Sequence, residues 1–141
     1  MSDASSQHFA RINEYLERFG KERNLALEPL SETGVAQVQR GSAVVSIHVL
    51  PHQGVLLLLS RVMAVPARQR EALYRRLLEL SFLATGDAAF AIDKNSDEVF
   101  LRCLRRLEGL DYDEFEDLVH TTATVADEWD NKLQAEFPEQ D

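Results

Sequence analysis

What the chain has little of narrows its chemistry first. Cys103 is the only cysteine, so an internal disulfide or a multi-cysteine zinc site is excluded. Unbroken apolar runs such as Val55 to Leu59 stop far short of the roughly 18 residues that span a bilayer. The opening "MSDASSQHFARINEY" has no basic stretch followed by an apolar one, so it does not read as a signal peptide, and a cytoplasmic location is expected. Nowhere is there a G-x-S-x-G elbow, a P-loop or a G-x-G-x-x-G turn, the commonest sequence marks of hydrolases and nucleotide binders.

Basic residues are scarce where acids concentrate. The net charge is -9, yet residues 108–141 hold twelve Asp/Glu against one lysine, while residues 1–107 hold twelve acids against fourteen bases. With a pI near 4.9, nucleic acid is not the expected partner, because phosphate binding needs clustered Lys/Arg. Acidity of this kind also keeps small proteins soluble.

What is there is enough for one core: 141 residues, 45% of them hydrophobic. A single domain over 1–141 is expected, with 1–6 and 136–141 frayed. Phe9, Ile12, Leu16 and Phe19, with Tyr15 beside them, recur at helical spacing, Ser5 or Ser6 can cap the start, and Gly20 marks an end. Three strand-like runs follow, Val35–Gln39, Ala43–Leu50 and Val55–Val62, joined by "RGS" and "PHQG". Connections this short imply an antiparallel meander. The third run, apolar on both faces, reads as a central strand covered on both sides.

After Pro66 a helix over Ala67–Ala84 runs to Gly86. Leu73, Leu77, Leu80 and Ala84 share one face, Leu78 and Phe82 another, and Leu83 a third. A helix apolar nearly all round needs cover on two sides, so the surplus predicts a dimer interface. "AAFAID" and "VFLRCL" read as two more strands. Asp111, three residues before Glu114, opens a long last helix striped by Phe115, Leu118, Val119, Thr122, Val125, Ala126, Trp129 and Leu133. The predicted class is α+β, ordered α-β-β-β-α-β-β-α, a twisted antiparallel sheet packed by helices.

Candidate chemistry is thin. Between the last two strands, Asp93, Asn95 and Asp97 match positions 1, 3 and 5 of a calcium loop, but position 6 is Glu98 rather than glycine and position 12 is Leu104 rather than glutamate. A hairpin turn is expected instead. His48 and His52 are four apart across Pro51 with no adjoining carboxylate or cysteine, and read as strand-end and turn residues. His120 reads as a packed or capped helix residue, and Cys103 as a small buried hydrophobe. An enzyme or metal protein would need His48, His52, Cys103 or His120 to converge in one cleft. Arg68, Arg70, Arg75 and Arg76 open the second helix, which reads either as a patch for phosphate or an acidic partner or, with Glu71 and Glu79 placed to pair with Arg75 and Arg76, as a solvated face.

Residues 77–133, from "LLELSF" to "WDNKL", resemble the Tir chaperone family, the class I chaperones of bacterial type III secretion. The likeness falls on Leu77-Leu78-Glu79, Phe90 to Asp93, Val99 to Leu101, Leu110-Asp111, Phe115, Leu118 and Trp129, and departs at Ser81, where the family often has Asn, and at the charged "RRLEGLD". The resemblance implies a cytoplasmic bacterial homodimer joined through Leu73, Leu77, Leu80 and Leu83. It further implies capture of the unfolded N-terminal segment of a secreted effector, without catalysis, cofactor or metal, on Phe9, Ile12, Tyr15, Leu16, Val35, Val38 and Val44. The alternative is an adaptor or regulatory domain of the same fold that binds a folded partner.

Overall fold

The computed structural model describes residues 3–139. The elements run α1 (Asp3–Arg23), β1 (Val35–Arg40), β2 (Ala43–Leu50), β3 (Val55–Ala64), α2 (Arg70–Leu83), β4 (Ala89–Asp93), β5 (Glu98–Arg106) and α3 (Tyr112–Glu136). This is the expected order. All five strands form one antiparallel sheet in the spatial order β1-β2-β3-β5-β4.

Period-2 patterning sets the sheet's two faces. Ala36 and Val38, then Ala43, Val45, Ile47 and Val49, then Leu56, Leu58, Ser60 and Val62, then Val99, Leu101 and Cys103 are buried, each set on alternate residues of its strand. α3 lies across β1, β2, β3 and β5, α1 packs on α3, and α2 packs on β4. Phe115, fully buried, contacts Tyr15, Phe19 and Tyr112 edge-on or tilted at 5.5–6.4 Å between ring centres, the aromatic centre of the α1–α3 contact.

Local signals account for the boundaries, with four differences from the sequence reading. α1 passes through Gly20 to Arg23: Leu25 N–H returns to Gly20 O (2.8 Å), a Cβ on residue 20 would sit 2.8 Å from Leu25 O, and Asn24, at φ 54°, turns the chain out. Glycine there serves a close approach rather than a stop. α2 starts at Arg70, after Gln69 in the left-handed region. The ends are tighter than expected, since Ser5 is buried inside α1 and Phe137 in the core; of the segments expected to fray, residues 1–2 and 140–141 lie outside the described residues. Finally, β3 is buried on one face only; Val55, Leu57 and Leu59 on the other are half-buried, because every buried row points toward the α3 side.

α3 opens as expected: Asp111 accepts Glu114 N–H (2.8 Å), with Leu110 buried before it. The β4–β5 connection is a hairpin whose acids are engaged locally. Asp93 Oδ1 accepts Asn95 N–H (2.9 Å), Asp93 O accepts Asp97 N–H (2.7 Å), and the Asp97 carboxylate pairs with Arg70.

Candidate interaction surfaces

β1 is an edge strand, and its hydrogen-bond phase determines what it offers. Val49 N–H donates to Gly34 O (2.8 Å), so by antiparallel alternation Ala36 and Val38 turn their backbone groups to β2, while Val35, Gln37 and Gln39 turn theirs outward. Val35 is already satisfied, its N–H by Ser31 Oγ (3.1 Å) and its carbonyl by Ser31 N–H (2.8 Å). Gln37 and Gln39 are left as the open edge.

The segment between α1 and β1 forms a wall beside that edge. Leu30 N–H donates to Asn13 Oδ1 (2.8 Å), and Gly34 N–H to Ser31 O (2.9 Å). Between the wall and the strand lies a groove of about 710 Å³, lined by Leu25, Leu27 and Pro29 on one side and Val35, Gln37 and Val44 on the other. Near the end of β1 it passes into a smaller cavity of about 330 Å³, bordered by Phe19, Arg23, Val38, Arg40 and His120. The tip of the β1–β2 hairpin is tied to α3: Ser42 N–H donates to Asp127 Oδ1 (3.1 Å), and Ser42 Oγ lies 2.6 Å from Asp130 Oδ2.

Of the residues expected to bind a client, Val35 and Val44 line this groove, Val44 being 41% exposed. Ile12 and Leu16 do not present a surface; they are buried in the chain's own core, on the side of α1 that packs inward. Val38 is also buried, but it forms part of the floor of the smaller cavity. Phe9 packs over Gly34, whose added Cβ would fall 2.9 Å from the Phe9 ring, and Tyr15 donates its hydroxyl to Leu110 O (2.9 Å) in the α1–α3 contact. Leu25, Leu27 and Pro29 were missed. Their signal was faint: alternating apolar residues before a proline, in a stretch with no helical or strand period long enough to assign.

The expected dimer face is corrected at three of its four residues. Leu73, Leu77 and Leu80 are 0, 4 and 5% exposed and pack inward, whereas Leu83, the fourth, is 80% exposed, as are Leu78 at 72% and Phe82 at 83%. A helical wheel finds more than one apolar face but not which of them meets the chain's own core. Trp129, on α3, has the Arg76 guanidinium of α2 and the Lys132 ammonium 5.4 and 4.9 Å from its ring centre.

The four residues weighed for catalysis stand apart. His48 lies on the half-open sheet face, 2.9 Å from Ser46 Oγ, which donates onward to Leu59 O; burial pushes its pKa down. Cys103 lies on the opposite, buried face, its thiol 3.8 Å from Asp87 O and raised in pKa chiefly by burial. His120 borders the cavity beside β1, and His52 sits in the β2–β3 turn. Among the described residues no three His, Cys, Asp or Glu side chains gather as metal ligands, and no helix is long and apolar enough to cross a membrane.

Comparison with known proteins agrees with this architecture. No curated protein matches the sequence closely enough to count as a relative. Among solved structures, the chain is similar to one from the ExsC–ExsE complex (TM-score 0.70, 22% identity, covering 94% of this chain and 97% of that one). It is also similar to one from the HopA1–SchA chaperone–effector complex (0.66, 13%, 90% and 95%). A third is from the heterodimeric ExoU–SpcU complex of the type III secretion system of Pseudomonas aeruginosa (0.64, 16%, 86% and 96%). At these identities the likeness establishes a shared fold. The model of the Tir chaperone protein (CesT) family matches residues 14–130, from the middle of α1 to near the end of α3, and this chain belongs to that family.

Proposed function

We propose that this protein is a dimeric chaperone of bacterial type III secretion, acting in the cytoplasm. It holds an unfolded N-terminal segment of a secreted effector and keeps it soluble and competent for export. The observation that carries the reading is the pairing of an open strand edge, at Gln37 and Gln39, with a fixed apolar wall at Leu25, Leu27 and Pro29, in a member of the Tir chaperone family. An extended segment adds to the sheet through β1 while alternate side chains enter the groove. Each buried aliphatic anchor contributes about 1.5–3 kcal/mol, part of which offsets the ordering of a disordered chain. The action is binding and release, with no bond made or broken in the client.

A second copy fits the outward side of α2, where Leu78 and Phe82 share a face, Leu83 follows at its end, and all three lie largely uncovered by their own chain. The experiment that tests the whole reading is co-purification from native cytoplasm, followed by mass spectrometry and a solution mass of the complex. A dimer carrying one protein through that protein's N-terminal segment supports it. A dimer that captures only a folded regulator, and no disordered segment, refutes it in favour of an adaptor.

A further inference from the structure

The smaller cavity at the end of β1 differs in chemistry from the groove that leads to it. Its floor is apolar and buried, made by Phe19, Val38 and Ala123. Its rim carries Arg23, Arg40 and His120, and among the described residues no carboxylate lines it. Arg23 is already occupied: it pairs with Glu116 at 3.2 Å and lies 3.9 Å over the Phe19 ring. Arg40 is exposed and has neither an ion pair nor a side-chain hydrogen bond among the described residues. On a chain of net charge -9, an unpaired guanidinium over an apolar floor is a local reversal of the prevailing field.

The two cavities share Leu25 and Gln39, so a strand laid along Gln37 and Gln39 runs from one into the other. We infer that the segment captured on β1 carries an Asp or Glu at the residue that passes Arg40, following apolar residues seated in the longer groove. The inference rests on the chaperone reading and adds the polarity of the client. An acidic side chain suits the cavity twice: its methylene stem lies on the floor, and its carboxylate accepts two parallel N–H bonds from a planar guanidinium. A lysine at the same place would face Arg40 and Arg23, so discrimination draws on repulsion as well as attraction.

The test is selection of a phage-displayed library of random peptides, about 15 residues long, on the immobilised full chain and on two charge-reversed variants, each checked for fold by circular dichroism. Arg40→Glu alters the cavity; Lys94→Glu makes the same charge change in the β4–β5 turn, at the far edge of the sheet. The unaltered chain and Lys94→Glu are expected to enrich alternating apolar residues with Asp or Glu at one fixed offset, preferred over Lys by about fivefold or more. Arg40→Glu is expected to replace that acid with Lys or Arg. Apolar alternation with no acidic position, or an acidic position unmoved by Arg40→Glu, overturns the inference and leaves strand capture standing. Failure of the unaltered chain to enrich any peptide over an unrelated protein overturns both.

Discussion

Single residues carry two testable consequences. Tyr112 is buried and donates its hydroxyl to Glu22 (2.9 Å), itself held down in pKa first by Arg18; burial, then this hydrogen bond, push the phenol from 10.0 to about 12. The proton is held more tightly in the folded chain than in the unfolded one. The stability it confers is therefore complete below about pH 10 and is lost as the pH rises toward 12. Melting followed across that range is expected to show the loss, and Tyr112→Phe to flatten it while costing about 1 kcal/mol at neutral pH. A pH-independent difference between the two proteins would contradict the assignment. At Gly41, φ is 57° and an added Cβ would collide with the Asp127 carboxylate. Gly41→Ala is thus expected to cost about 1–3 kcal/mol and lower the melting temperature, since both the backbone and the Ser42–Asp127 tie must shift.

Among elements, β1 and α3 separate binding from stability. Gln37 sits on the free edge with its N–H turned away from β2, so proline there removes no ladder bond. Gln37→Pro is expected to leave the melting temperature within a few degrees of the unaltered chain while weakening client affinity by about tenfold. Unchanged affinity, measured by titration calorimetry with the co-purified client segment, would rule out strand addition at this edge. Phe115→Ala in α3 is expected to do the reverse, costing about 3–5 kcal/mol in denaturant unfolding because the ring is fully enclosed. At this scale the sequence was most readable. Phe9, Ile12, Leu16 and Phe19 repeat along α1, Ala43 to Leu50 alternates, and Asp111 caps α3, each a local pattern with one physical cause. The groove was less readable because it is made by two segments related only through the fold: Leu25 to Pro29 carries no period, and an edge strand cannot be told from an inner one until its neighbours are known. Ile12 and Leu16 were misassigned as binding residues because an apolar stripe has the same spacing whether it meets a client or its own core.

For the whole molecule, the same ambiguity at α2 becomes an experiment. Leu77→Glu would place a charge in the core and is expected to unfold the chain, so it says nothing of assembly. Phe82→Glu changes a side chain 83% exposed and is expected to leave the fold intact while halving the sedimenting mass. A folded dimer that survives this change would place the contact between copies elsewhere. The sheet order has a further consequence, in time rather than in space. β5 inserts between β3 and β4, so β3 has β2 on one side from the moment it is made, yet gains its other neighbour only when Glu98 has joined Ala64 and Arg106 has joined Val55. A chain emerging from the ribosome therefore shows the bare edge of "VLLLLS", its most adhesive strand, through the whole synthesis of α2 and β4. That bare edge is covered only when Glu98 to Arg106 have been made and have joined β3.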